Sequence, residues 1–429
     1  MNELACLGQS GDGTKLSSHV KLKLLKAKIK EWYVHSKNNE RAHKQDVVNA
    51  LRLLQEKTET GNTSPEDRES RIKLLQGINK MDYLEAQDLI QKARIKWDLE
   101  GDENTKFFHS LVNKKRRSNL IHGIMHEGSW VSEPHQVKEA FLNFFKGKFQ
   151  ENDNMVNFPS ITNASGLCSF DRDLLENDIS LVKIKTAVWN CGSNKAPDPD
   201  GFSFAFVKRF WDILKLDIFE FVNSFFTSCK MPAGSNSSFI SLIPKVSNPI
   251  HIKDFCPISL IGIHYKIIAN RLSKVIDKIV SHEQSAFIAG RPILDGPLML
   301  SEMIDWYKNR KKKMLIFKVD FEKAFDSVSW RYLDFMLYSH GFGVKWRSWI
   351  RECLVSSITS ILVNGSPTSE FSIKRSLRQG DPLSLFMFIL VMEGLHVALS
   401  DAVQSGLIYG VKFGPSPSHC LAYSMLMTS

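Results

Sequence analysis

The sequence is poor in the features that would staple or anchor it. Its 7 cysteines, at 6, 168, 191, 229, 256, 353 and 420, are odd in number and scattered, and no Cys-x-x-Cys occurs. That argues against a disulfide framework or a zinc ribbon and suits a reducing compartment. Long hydrophobic runs are missing too. The longest, LSLFMFILVM over 383–392, is about half of the ~20 residues a bilayer span needs and reads as a buried helix. The first residues, MNELACLGQSGDG, hold no basic stretch followed by an apolar one. The expectation is therefore a protein of nucleus or cytoplasm, not secreted and without a membrane partner. No repeat period or low-complexity tract is visible.

What is present is ordinary globular composition with a basic excess. Over 429 residues the chain has 43% hydrophobic and 24% charged residues, room for two or three domains with a sizeable core. Lys plus Arg number 56 against 46 acids, a net charge of +10. Such a surface suits a polyanion such as nucleic acid, and it also serves solubility alone. Residues 1–150 hold 26 basic and 20 acidic residues, so most of the excess lies there.

Periodicity predicts a helix over 16–60, with Leu22, Leu25, Ile29 and Trp32 on one stripe and Lys21, Lys23, Lys26, Lys28 and Lys30 around it. GNTSPEDRES (61–70) breaks it. Ser64 suits a cap, Pro65 a first turn, and Glu66 and Asp67 the positive end of the next helix, which runs to about residue 100. The basic run Lys114–Arg117 suits phosphate, and a plain basic turn equally. Residues 151–178 read as loop, KAPDPDG (195–201) as turn, FISLIPKV (239–246) as strand, and 261–282 and 297–310 as helices. ITSILVNGSPTSEFSI (358–373) reads as strands around an Asn364-Gly365 turn, and Asp381-Pro382 starts an apolar helix.

LIFKVDFEKAFDSV (315–328) is the stretch that asks for chemistry. Its opening fits a strand over 315–321 that ends on Asp320, with Asp326 at an expected helix N-cap. A carboxylate closing an apolar strand is costly unless something compensates it. Paired cations in nucleotidyl transfer would do so; a hydrogen-bonded structural acid would do so as well.

KVDFEKAFDSV (318–328) and RQGDPLS (378–384), with the VNGSP hairpin between them, resemble the first two palm motifs of reverse transcriptases. The pattern is most similar to plant non-LTR, LINE-type retrotransposon polyproteins. LIPKV (242–246), DFCPISL (254–260), NRL (270–272) and QSAFIAGR (284–291) resemble that family's finger segments in order, and KARIKWDLEGDENTKFFHSLVNKKRR (92–117) its preceding linker. The resemblance covers about 90–429 and implies an α+β polymerase right hand: fingers and partial palm behind a helical N-terminal region. The implied division is 1–150 helical, 151–194 loop and start of fingers, 195–314 fingers and 315–429 partial palm. The implied reaction adds deoxynucleotides to a DNA primer on an RNA template with Mg2+. Asp320, helped by the Phe321 carbonyl, would hold the metal. Phe325 would be the aromatic gate against a ribose 2′-hydroxyl, Gln379 and Gly380 would line the nucleotide pocket, and Lys245 would meet the triphosphate. Plain core for Phe325 and plain surface for Lys245 stay open beside these roles.

The same resemblance marks departures. The family's third palm motif, Tyr/Phe-Ala-Asp-Asp, would fall in SHCLAYSMLMTS (418–429), yet Leu421-Ala422-Tyr423 runs directly into Ser424-Met425. Cys256 stands where the family has Arg before Pro-Ile-Ser, Asp198 where it has Gly, and Leu385 where it has Pro. The expectation is a truncated reverse transcriptase by descent, catalytically impaired. The alternative is a residual nucleic-acid-binding protein with no enzymatic role.

Overall fold

The computed structural model describes residues 18–61, 64–93, 113–114, 117, 119–150, 158, 166–193, 201–232, 234–259, 263–292, 294–316, 319, 321, 324–408, 411–412 and 419–420. They fall into two compact units that divide between His122 and Gly123.

The first unit holds α1 (Ser18–Glu59) and α2 (Pro65–Ala93). The turn between them is capped as its residues demand: Ser64 Oγ accepts from the Asp67 amide at 3.1 Å, and the Asp67 carboxylate accepts from the Ser64 amide at 3.2 Å. Those hydrogen bonds and the nearby Lys57 hold the Asp67 carboxyl below the usual range. Lys44 ties the two helices, reaching Asp82 at 2.6 Å and Glu85 at 2.9 Å.

The second unit is a mixed helix-and-sheet body, as expected. It opens with the hairpin β1 (Ile124–His126) and β2 (Ser129–Val131), then α3 (Pro134–Lys148), α4 (Ser169–Glu176), α5 (Leu181–Trp189), α6 (Phe204–Arg209) and α7 (Trp211–Ser228). β3 (Ser237–Pro244) and β4 (Phe255–Ser259) follow, then α8 (Ile263–Leu272), α9 (Ile276–Ile279), α10 (Asp295–Asn309), α11 (Trp330–Ser339) and α12 (Val344–Val355). β5 (Ile358–Val363), β6 (Ser366–Pro367) and β7 (Phe371–Ser372) precede α13 (Pro382–Gln404), and β8 (Val411–Lys412) pairs with β9 (His419–Cys420).

The central sheet runs β4-β3-β5-β6, with β7 also on β5. β3 pairs antiparallel with β4 and parallel with β5, placing Ile240 beside Ile361 and Ser238 beside Thr359. The β5–β6 turn is Asn364-Gly365 at φ 51° and 78°, the left-handed pair that this dipeptide tolerates best. α3 packs on the sheet: Phe141 meets Phe255 edge-on at 5.5 Å, Phe149 stacks on Phe371 at 6.4 Å, and Lys138 donates to Ser366 at 2.6 Å. The main core is helical, with Trp346, Trp349, Phe225, Ile268 and Leu272 fully buried. α13 is part of it through Leu383, Met387, Phe388 and Leu390, the buried helix its composition predicts.

Three expectations are corrected. Within the supposed loop 151–178, Ser169–Glu176 is helical, because Leu175 is buried and Asp171 pairs with Lys278 at 2.6 Å. The strand over 315–321 is not found at its described positions: Leu315, Ile316, Val319 and Phe321 lie in irregular chain and are exposed. β-forming composition makes a strand only where a ladder partner takes the backbone groups. Finally, Asp326 does not cap the following helix. Ser329 does, accepting from the Tyr332 amide at 3.4 Å, and Asp326 pairs with Lys148 instead.

Candidate functional site

A small, partly enclosed cleft lies where β3, β4, the 324–330 turn and the 376–384 segment meet. Arg378, Gln379 and Asp381 line one wall, and Gly380 between them packs on β4. Gly380 sits at φ +98°, and a Cβ there would stand 3.0 Å from the Ser259 carbonyl and 3.1 Å from Ile258 Cγ2. The glycine therefore lets the turn lie directly on β4, where the Ser259 amide donates to the Gln379 carbonyl at 2.8 Å. Asp381 caps α13 by accepting from the Leu383 amide at 2.8 Å, with Pro382 in the first turn. Burial pushes its carboxyl up to about 7, although the cap hydrogen bond and Arg378 oppose the shift.

A buried polar network lies behind the cleft lining. The buried Arg378 guanidinium donates through Nε and Nη2 to Ser357 Oγ at 3.1 Å and 2.5 Å, and through Nη2 to the Asn236 carbonyl at 3.1 Å. It also lies 5.3 Å from the Tyr265 ring centre. The Tyr265 hydroxyl is within 2.7 Å of Asn236 Oδ1 and 2.6 Å of the Cys353 carbonyl. Asn236 Nδ2 donates to that carbonyl at 2.9 Å and to Ser356 Oγ at 2.8 Å. Burial raises both the Tyr265 hydroxyl and the Cys353 thiol far above their ordinary values, so neither ionises here.

The 324–330 turn closes one side. Leu377 donates to the Phe325 carbonyl at 2.8 Å, Ser376 to the Val328 carbonyl at 2.9 Å, and Trp330 Nε1 to the Ser376 carbonyl at 2.7 Å. Phe325 is partly buried, its ring tilted on Phe388 at 5.1 Å. Asp326 reaches Lys148 of α3 at 2.5 Å. Cys256 donates its thiol proton to Gln379 Oε1 at 3.2 Å; burial pushes the thiol up while Lys245 and Lys148 pull it down.

Of the residues singled out in the sequence, Gln379 lines the cleft, Gly380 packs on β4, and Phe325 is tied by its backbone to Leu377. Lys245 is exposed at the end of β3, its amide donating to the Asp254 carbonyl at 2.8 Å, and its charge reaches Cys256. Phe321 is exposed. Asp320, Asp198 and 421–429 lie outside the described residues. Lys148, Asn236 and Tyr265 were not marked by any sequence signal; their partners are 178, 117 and 88 residues away, beyond any local pattern.

Among the described residues, no group of three His, Cys, Asp or Glu side chains could hold a metal ion. The two carboxylates at the cleft are committed, Asp326 to Lys148 and Asp381 to the α13 cap. The described residues therefore do not fit a divalent-ion centre.

Residues 243–415 match the reverse transcriptase (RNA-dependent DNA polymerase) family. Residues 243–415 are a reverse transcriptase domain, in a chain similar to LINE-type retrotransposon proteins. The "Transposon TX1 uncharacterized 149 kDa protein" of Xenopus laevis is 25% identical over 91% of this chain and 30% of its own length. A retrovirus-related Pol polyprotein of a type-1 R2 element from Popillia japonica is 29% identical over 39% of this chain and 24% of its own length. That of the type-2 element R2DM from Drosophila melanogaster is 23% identical over 62% of this chain and 25% of its own length. The chain thus spans less than a third of these relatives, which are from a frog and two insects and carry nothing of the plant attribution. The reverse transcriptase match opens in β3, takes in Cys256, the 324–330 turn, the Gln379-Gly380 turn and α13, and leaves α3 outside.

Proposed function

We propose that this reverse transcriptase region retains nucleic-acid and nucleotide contacts but does not polymerise. The observation that carries the reading is Leu421-Ala422-Tyr423 passing directly into Ser424-Met425, where the family that the sequence resembles has Ala-Asp-Asp. Nucleotidyl transfer needs carboxylates that gather two divalent cations around the attacking and leaving oxygens. Asp320 then remains as the one motif carboxylate, and neither cleft acid replaces the lost pair. Asp326 is neutralised by Lys148, and Asp381 is buried and raised to about 7.

The rest of the cleft supports binding. Gln379 lines it, and the charges of Lys148 and Lys245 both act on Cys256, the partner of Gln379. In this reading the second unit holds the fingers and part of the palm, the partners are an RNA template, a DNA primer and deoxynucleotides, and Mg2+ is the family's metal. Phe321 and Phe325 keep the roles implied by the resemblance, beside the metal and as the sugar gate.

Primer extension on an RNA template with Mg2+ tests this. The expected result is no extension above that of Asp320→Ala. Extension clearly above that control would sink the reading.

A further inference from the structure

The family resemblance assigns phosphate contact to Lys245 and to an arginine that is Cys256 here. The charge of a second cation nevertheless reaches that position, from an element outside the matched stretch. Lys148 closes α3, with Nζ 2.5 Å from Asp326 Oδ2 and 5.5 Å and 5.9 Å from the ring centres of Phe145 and Phe149. The two charged side chains are only 16% and 12% exposed. Phe149 and Asp326 both line the cleft, next to Gln379, which holds Cys256 at 3.2 Å.

The charges facing this spot decide what it tolerates. Lys148 and Lys245 are positive and Asp326 is negative; all three act on Cys256, which stands where the resembled family has an arginine. Asp326 alone would repel a polyanion entering the cleft. Paired with Lys148, it leaves the wall neutral. An ammonium held by aromatic faces and by one carboxylate can exchange that carboxylate for phosphate oxygens without leaving its seat.

We propose that Lys148 is a polyphosphate-binding cation of this cleft, with Asp326 as the partner it exchanges for ligand phosphates. The proposal rests on the reading of the cleft as a nucleotide site. It predicts that the acid is a brake: removing its charge frees the ammonium and improves binding. A purely structural ion pair gives the opposite result, since breaking it loosens the fold and weakens binding.

The full chain is titrated at low salt with inorganic tripolyphosphate and with dTTP, beside filter binding of an RNA–DNA primer–template. Lys148→Ala is expected to weaken both small ligands about tenfold, Lys148→Arg to retain them, and Asp326→Asn to tighten both about threefold. Unchanged affinity in Lys148→Ala overturns the proposal, as does weakened or unchanged binding in Asp326→Asn. An effect on dTTP with none on tripolyphosphate also overturns it, because the contact would then lie on the nucleoside. Should Lys148→Ala not fold, Asp326→Asn and Lys148→Arg decide alone. Primer–template binding without tripolyphosphate binding sinks this proposal only, whereas loss of both sinks the nucleotide-site reading too.

Discussion

Gly380 and Asp381 show how much chemistry sits in adjacent residues. At φ +98°, with the Ser259 carbonyl 3.0 Å from a would-be Cβ, position 380 is closed to a side chain on both backbone and steric grounds. Gly380→Ala is expected to cost about 1–3 kcal/mol, read as a lowered urea midpoint. Asp381 has the reverse of the usual acid linkage. Its folded pKa, about 7, lies above its unfolded value, so between roughly pH 4 and pH 7 the folded chain keeps a proton that the unfolded chain has lost. Its contribution to stability therefore falls as pH rises through that window and is flat above it. Asn in its place keeps the cap acceptor without titrating. The Tm of Asp381→Asn relative to the parent should rise from about pH 5 to about pH 8; a difference independent of pH would contradict the assignment.

At the scale of elements, local chemistry was legible and remote pairing was not. The Ser64-Pro65 helix start, the Asn364-Gly365 turn and the Asp381-Pro382 cap were all readable, because each is decided within a few residues by dihedral preference or a capping oxygen. Asp326 misled for the same reason. Local spacing favours a cap, but a lysine 178 residues away in sequence satisfies its carboxylate, and Ser329 does the capping. Ser329→Ala should then cost about 1 kcal/mol through α11, measured by chemical denaturation. No loss of stability would return the capping role to another residue. The run Leu315-Ile316 has the composition of a strand, but strand formation also needs an unpaired neighbour, and composition does not report that.

Over the whole molecule, the helix-and-sheet class and the turn at Gln379-Gly380 were legible from motifs, whereas the buried polar network of Asn236, Tyr265 and Arg378 emerges only when three distant segments meet. The net charge of +10 carries a prediction of its own. Primer–template affinity should fall steeply between roughly 50 mM and 200 mM salt, with a linear log–log slope, as counterion release requires. Affinity indifferent to salt would mean that the basic excess serves solubility alone. The central claim is the loss of the paired carboxylates that gather metal. Its most direct test is single-turnover incorporation of one labelled deoxynucleotide, with the chain in excess over an RNA–DNA primer–template and Mg2+ present. The account predicts a bound but unextended primer, indistinguishable from that seen with Asp320→Ala; a primer one nucleotide longer, formed by the parent chain alone, would contradict it.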